Sequence, residues 1–416
     1  MRISRGAGQR LARLACAITV FVLLVGARAS ALPVAAIAGR EIEAVVRARA
    51  RSLAGWPVVD GLTACFVLQA PGPGPYTVAG SWSRWDPAAH FLQRIGNTSW
   101  WFACVRLPAH GRYEYKFVDL GTGRWFADPL NRKRSYDHGN SVLQTARSPR
   151  GHLEWLGPWH APGLRGSREV IVYLPPGALY AHTRYPVLYL HDGQNAFDPA
   201  APWGGWQVDR IVDGLIARGE IRPLIVVAIA IASGADRIRD YTPVPDDLSP
   251  RCDGSRVAGG GAAAYADAVA LDLKPRIDAL YPTRPGREHT AVLGSSLGGL
   301  VALYTAYRHP DVFGMAGGMS PTLGWGGLCR GEGALFELAR RRGRIPVRLY
   351  LDSGGTGAAD PGADNWDVTR AFAHLLATQG YRRGRDLLYR WEPGAAHNEA
   401  AWRARLPALL RAWFHR

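Results

Sequence analysis

Residues 148–416 predict an α/β fold, and residues 59–147 ahead of them predict a small all-β sandwich. Three observations carry this. In the longer part, apolar strand-like runs alternate with helical stretches, the pattern of a mostly parallel sheet with helices on both faces. The earlier part holds short alternating runs broken by Gly, Pro and Asp turns. Third, one apolar run (290–293) enters the glycine-flanked turn Gly294-Ser295-Ser296-Leu297-Gly298, which leads straight into a helical run (300–307).

The elements follow in chain order. Residues 1–31 read as an export signal: Arg2, Arg5, Arg10 and Arg13 precede an apolar run (14–25), and Ala27-Arg28-Ala29 and Ala29-Ser30-Ala31 offer small-x-small cleavage sites. That run is too short to span a bilayer, and no later segment qualifies. A helical lead-in (40–51) lies within residues 32–58. The sandwich strands are expected at 64–68, 76–78, 100–105 and 113–118. A linker is expected at about 148–162, and then strands at 169–174, 186–190, 224–231, 290–293, 347–351 and 387–391. Helices are expected at 208–218, 263–280, 300–309, 368–379 and 402–414.

Composition narrows the function classes. Of 416 residues, 47% are hydrophobic, enough for a substantial core. The formal charge of +16 falls to +11 when the five arginines of the signal leave, and the remaining arginines are scattered among only three lysines (Lys116, Lys133, Lys274). A nucleic-acid surface would be clustered and interleaved with aromatics, so no nucleic acid is expected as a partner. Four cysteines remain after the signal: Cys65, Cys104, Cys252 and Cys329. An even number in an exported chain favours disulfides over metal ligation. Two fall in each domain, so Cys65–Cys104 and Cys252–Cys329 are the expected pairs. No spacing suggests zinc, and neither metal nor cofactor is expected.

The turn at 294–298 is a G-x-S-x-G nucleophile elbow in the strand–turn–helix context that the motif requires, which points to an α/β-hydrolase fold. The residues flanking the serine need almost no side chain, because the turn is sharp and lifts the hydroxyl out of the sheet. A serine hydroxyl needs a base to take its proton, and the base needs an acid to hold its tautomer. On this fold the chain order is Ser, acid, His. After Ser296 come His309, His374, His397 and His415, and only His397 occupies a loop after a late strand. The acid should follow the strand at 347–351. Asp360 is chosen, because its glycine-rich loop can turn back toward the elbow; Asp352, at the strand's edge, and Asp364, a natural helix N-cap, remain the alternatives. The oxyanion hole needs two N–H donors. Leu297 supplies one, and Gln194, in His191-Asp192-Gly193-Gln194-Asn195, supplies the other. His191 and Asp192 read as loop-shaping residues. Trp203, Trp206, Arg237 and Arg239 are candidates to line the substrate pocket.

Two resemblances follow from these residues. Val78-Ala79-Gly80-Ser81-Trp82-Ser83-Arg84-Trp85-Asp86-Pro87, the stretch Gly111-Arg112-Tyr113-Glu114-Tyr115-Lys116-Phe117-Val118, and Ala127-Asp128-Pro129-Leu130-Asn131 resemble the immunoglobulin-like early-set module of glycogen-binding and starch-branching proteins. That resemblance makes Trp82, Trp85, Trp100 and Trp101 candidates for sugar stacking, although tryptophans in a small sandwich more often fill its core. The second half, with Tyr185-Pro186-Val187-Leu188-Tyr189-Leu190-His191-Asp192-Gly193, Gly294-Ser295-Ser296-Leu297-Gly298-Gly299 and His397-Asn398-Glu399-Ala400-Ala401-Trp402, resembles the putative-esterase family of enterochelin esterases, feruloyl esterases and mycolyl transferases. It implies the triad Ser296, Asp360 and His397, with Gln194 and Leu297 at the oxyanion. The departure is Gly-Thr-Gly-Ala-Ala before the acid, where S-formylglutathione hydrolases place it closer to the glycine.

The expectation is therefore an exported, periplasmic or secreted serine esterase acting on a small-molecule or glycan-linked ester, with weak polysaccharide binding through the first domain. The alternatives are acyl transfer to a sugar acceptor and a glycan-binding protein with an inactive hydrolase domain. A glycosidase is disfavoured, because the elbow has no role in paired-carboxylate chemistry.

Overall fold

A computed structural model describes residues 39–415 apart from 52, 54, 138, 181, 182, 330, 331 and 361. The expected signal at residues 1–31 lies outside the described residues. The chain forms two compact units: one reaches to His152 and includes Pro176–Ala181, and the other comprises Leu153–Pro175 and His182–Arg416.

In the first unit, helix α1 (Gly39–Arg51) precedes eight strands: β1 (Val58–Asp60), β2 (Thr63–Gln69), β3 (Tyr76–Gly80), β4 (Gln93–Arg94), β5 (Trp100–Arg106), β6 (Arg112–Asp119), β7 (Arg124–Phe126) and β8 (Ser141–Gln144). They make two antiparallel sheets, β1-β2-β5-β4 and β3-β6-β7 with β8 on β6. Alternation along β5 feeds two cores, because successive side chains leave opposite faces. Trp101, Ala103 and Val105 join Phe66, Tyr115 and Phe117 between the sheets. Trp100 and Phe102 turn the other way, onto Ile42 and Val46 of α1. Trp100 and Trp101 are thus core residues, and Trp82 packs half-buried on Phe66. Trp85 stands 6.4 Å from the exposed Trp125.

The second unit is built on an eight-stranded sheet. Its strands are β9 (His152–Trp159), β10 (Arg168–Leu174), β11 (Val187–His191) and β12 (Ile225–Ile229), then β15 (Thr290–Ser295), β16 (Met315–Met319), β17 (Arg348–Ser353) and β18 (Leu387–Trp391); a separate hairpin pairs β13 (Pro245–Asp247) with β14 (Val257–Gly259). The order is β18-β17-β16-β15-β11-β12-β10-β9, parallel from β18 to β12, with β10 antiparallel to β12. Every residue of β11, β12, β15 and β16 is buried, as a sheet covered on both faces demands. The helices are α2 (Val208–Ala217), α3 (Gly234–Tyr241), α4 (Ala262–Asp267), α5 (Lys274–Leu280), α6 (Leu297–Arg308), α7 (Ala334–Arg342), α8 (Trp366–Thr378) and α9 (Glu399–Phe414), with a π-helical turn, Ala268–Leu273, joining α4 to α5. Topology and helix cover are those of an α/β-hydrolase-like fold.

Several segments of the second unit depart from expectation. The supposed linker at 148–162 contains β9, whose Gly157 and Pro158 read as a break but are tolerated at a sheet edge. β16, with the sequence Met-Ala-Gly-Gly-Met, lacks a β-branched signature. It must be small: a Cβ on Gly317 would stand 2.8 Å from Leu293 Cδ1 and 2.9 Å from Trp413 Cη2. Helices α3 and α7 were also unforeseen, and α3 matters because it carries Arg237.

Both expected disulfides are present. Cys65 and Cys104 are direct cross-strand partners on β2 and β5, and Cys252, between β13 and β14, bonds Cys329 across 77 residues of chain. Loop closure in the unfolded chain makes the longer bridge worth about 2–4 kcal/mol. Cys252→Ser with Cys329→Ser is expected to lower the melting temperature of the oxidised protein by roughly 5–15 °C, measured by calorimetry. Among the described residues no helix is long and apolar enough to cross a membrane.

Candidate active site

β15 lies at the middle of the sheet, between β11 and β16, so its C-terminal end opens where loops from several strands converge. Ser296 follows it with φ 55° and ψ −124°, a conformation costing about 1–3 kcal/mol for a non-glycine residue. The surroundings over-determine it. Ser296 N–H donates to Met319 O (2.9 Å), and Ser296 O accepts from Thr322 N–H and Leu300 N–H, each at 3.1 Å. The flanking glycines are dictated by close approach: a Cβ on Gly294 would sit 2.4 Å from the Gly298 carbonyl, and one on Gly298 would sit 2.9 Å from Asp192 Oδ2. The Ser296 hydroxyl lies 3.2 Å from Thr322 Oγ1. Helix α6 starts at Leu297, so the N–H groups of its first turn have no acceptor within the helix.

His397 sits in the loop between β18 and α9, where Asn398 caps α9 by accepting from Ala401 N–H at 3.0 Å. Its ring stands edge-on to Trp402, 5.0 Å between centroids. Nδ1 lies 2.7 Å from Asp364 Oδ1, so an Nδ1–H donor there leaves Nε2 as the basic nitrogen. The carboxylate that His397 meets is therefore that of Asp364 and not of Asp360, whose side chain is exposed and whose backbone carbonyl accepts from Ala363 N–H. The physical reason is local. Asp364 and the next residue, Asn365, both adopt the left-handed conformation (φ 50° and 56°), so Asp364 does not cap α8; its carboxylate turns inward. There its Oδ2 accepts from Ser320 Oγ (2.7 Å), Gly354 N–H and Arg405 Nη1 (3.3 Å). Burial pushes this carboxyl up, but the hydrogen bonds from His397, Ser320 and Gly354 and the charge of Arg405 outweigh it and hold it below the ordinary carboxylate range.

Asp352, the other alternative, is fully buried at the end of β17. It accepts from Tyr350 Oη (2.7 Å) and Ser320 N–H (3.2 Å) and lies 3.5 Å from Arg405. Burial raises its carboxyl to about 6, against the pull of Arg405.

Ser296 and His397 line one cleft of about 390 Å³ with Gln194, Trp203, Trp206 and Arg237. Gln194 occupies the 3₁₀ turn Gly193–Asn195 after β11, and its side chain ties that turn down, accepting from Ile231 N–H (3.2 Å) and donating to Asp192 (3.3 Å). Asp192, at φ 57°, grips Arg237 through Nε (2.8 Å) and Nη2 (2.9 Å), which supports its reading as a loop-shaping residue. His191 is buried against Tyr265 (3.0 Å), and burial followed by the charge of Arg237 drives its imidazole down to about 3, so it stays neutral. Trp203 is 72% exposed at the cleft, whereas Trp206 is buried against Trp402. Arg239 does not line the cleft: two residues on a helix are about 200° apart, and its guanidinium pairs with Asp236 and Asp240, each at 2.9 Å.

Sequence reasoning passed over Thr322, Ser320, Arg405 and Glu399, the last of which accepts from Asn195 Nδ2 (3.2 Å). Arg405 did leave a signal. It falls in the buried stripe Trp402, Arg405, Leu409, Trp413 of α9, where a charge is costly unless paired. Among the described residues no cluster of His, Cys, Asp and Glu could hold a metal ion.

A serine on a strand–helix elbow, with a carboxylate-bound histidine in the same cleft, defines an α/β-hydrolase-like protein. The model of the Putative esterase family matches residues 161–413, and the chain belongs to that family. The carboxylic ester hydrolase class expected from the sequence agrees with that membership. The chain is 28% identical over 264 residues to the iron(III) salmochelin esterase of Escherichia coli O6:H1, covering 56% of this chain and 58% of that protein. It is 26% identical over 306 residues to the iron(III) enterobactin esterase of Escherichia coli K12, covering 63% and 69%. It thus spans less than two thirds of the first of these relatives. Among solved structures, the enterobactin esterase of Shigella flexneri superposes with a TM-score of 0.50 at 20% identity, covering 86% of this chain and 95% of that one. An IroE-like serine hydrolase from Shewanella oneidensis gives 0.50 at 23%, covering 63% and 80%. These two likenesses concern the fold.

Proposed function

We propose that this protein is a serine esterase that hydrolyses small-molecule carboxylic esters through an acyl-serine intermediate. The observation that carries the reading is the 2.7 Å contact of His397 Nδ1 with the buried Asp364, in the cleft where Ser296 stands on its elbow. Nε2 of His397 takes the Ser296 proton as Oγ leaves Thr322 and attacks the ester carbonyl. Asp364 holds the imidazole and balances the imidazolium that forms. The backbone N–H groups of Leu297 and Gln194 receive the oxyanion, at a helix start and in a pinned turn respectively. His397 then protonates the leaving alcohol, and water repeats the sequence to release the acid.

The names of the salmochelin and enterobactin esterases favour a siderophore ester as substrate. Cleft residues Trp203 and Trp206 offer aromatic walls, and Arg237 is already satisfied by Asp192. The first unit reads as an immunoglobulin-like early-set module. Of the four tryptophans weighed for sugar stacking, Trp85 beside the exposed Trp125 remains the candidate. Export through the first 31 residues agrees with two disulfides, which persist in oxidising compartments.

The test is a product analysis on a catecholate triester, a feruloyl sugar and an acetylated sugar, with and without an added alcohol acceptor. Release of free acid, undiminished by the acceptor and highest on the catecholate triester, is expected. Exclusive formation of a new ester would establish transfer, and no turnover on any ester would remove the reading.

A further inference from the structure

Behind the His397–Asp364 pair lies a second buried layer that the esterase mechanism above does not use. Arg405 is 3% exposed on α9, with Nη1 3.3 Å from Asp364 Oδ2, Nη2 2.8 Å from Ser320 Oγ and a further approach of 3.5 Å to Asp352 Oδ1. Ser320, at φ 44°, donates its hydroxyl to Asp364 while accepting from Arg405 and from Trp402 Nε1 (3.0 Å). Asp352 in turn takes Tyr350 Oη and Ser320 N–H. One guanidinium therefore faces two buried carboxylates that repel each other across a shared serine. A cation so placed keeps both from competing for a proton, and its planar fork fixes the direction of the nearer one.

Resting on the Ser296 esterase reading, we infer that Arg405 is a positioning residue of the active site, acting through Asp364 to keep the triad acid ionised and aimed at His397. The charged and titratable groups facing that pair are Arg405 and Glu399 from α9, Asp352 and Tyr350 from β17, Arg390 of β18 beside Asp352, and the Asp192–Arg237 pair at the cleft. Of these, Arg405 alone touches Asp364 with a positive charge, in a site screened from water. Removing it leaves the Asp364 charge unopposed. Protons are then held more tightly by the His397–Asp364 pair, and a higher pH is needed to free the base. The sign is fixed: loss of a cation moves the acid limb of activity upward in pH.

The experiment measures kcat and KM from pH 4 to 9 for Ser296→Ala, Arg405→Met, Arg405→Gln and Arg405→Lys, with folded fraction from near-UV circular dichroism. Arg405→Met is expected to lower kcat about 10- to 100-fold with KM little changed, and to move the acid limb up by about 0.5–1 pH unit. Arg405→Gln, which keeps donors for Ser320 but no charge, should move the limb likewise and serves if Arg405→Met does not fold. Arg405→Lys should return the limb to its original place while recovering only part of kcat. An acid limb unmoved in the neutral variant that folds, with kcat falling only as folded protein is lost, would overturn the inference. Undiminished turnover by Ser296→Ala would instead overturn the esterase reading itself.

Discussion

Ser296→Ala is expected to reduce kcat by about 10⁴- to 10⁶-fold, with the fold intact. The size follows from what the residue is asked to do. In the proposed mechanism no covalent intermediate forms without its hydroxyl, and the oxyanion donors proposed at Leu297 and Gln194 are left to act on direct attack by water. The fold should not suffer, because the interactions holding the elbow are backbone bonds to Met319, Thr322 and Leu300. Among the described residues the hydroxyl itself meets only Thr322, at 3.2 Å. The strained φ of 55° is borne by either residue, so thermal stability should stay within about 1 kcal/mol of the parent. Steady-state kinetics on a p-nitrophenyl ester, with a melting curve beside them, checks both parts.

Asp364→Asn should lower kcat by about 10³- to 10⁴-fold, and Asp360→Asn should leave it nearly unchanged. An amide at 364 can offer its NH₂ to His397 Nδ1, which would then place the ring proton on Nε2 and spoil the base. The same amide loses the charge that balances the imidazolium. The exposed Asp360 makes neither contribution. Stability should move as well. Ser320 Oγ, Gly354 N–H and Arg405 all point at the Asp364 carboxylate, so an amide there leaves a buried donor or cation poorly matched. The pair of substitutions, compared by kcat/KM at one pH, distinguishes the two aspartates directly. Equal losses, or a loss confined to Asp360→Asn, would contradict the assignment.

Much of the architecture was legible because the sheet's central strands are long, apolar and rich in Val, Ile and Leu. The runs at 169–174, 186–190 and 224–231 announce β10, β11 and β12 within one or two residues. Where packing demanded small residues, the signal vanished. Met315–Met319 is a full strand, but its glycines exist to let Trp413 and Leu293 approach. His152–Trp159 was obscured by the Gly-Pro that an edge strand tolerates.

At the site, Ser296 was marked by a local motif, and His397 by elimination along the chain. The carboxylate that meets His397, Asp364, was not marked, because its aim depends on two consecutive left-handed residues and on partners 10 to 44 positions away. Asp-Asn before a helix is the only local trace of that turn, and it reads equally well as a cap. Arg237 and Arg239 show the same limit. Sequence placed both near the cleft, and the helical rotation between them decides which one faces it.

The role of Ser296 as nucleophile is tested by active-site labelling of the full-length protein with a fluorophosphonate, followed by peptide mass spectrometry. One adduct per chain is expected, on Ser296, absent in Ser296→Ala and strongly slowed in both His397→Ala and Asp364→Asn. An adduct on another residue, or none at all from protein that hydrolyses esters, would contradict it.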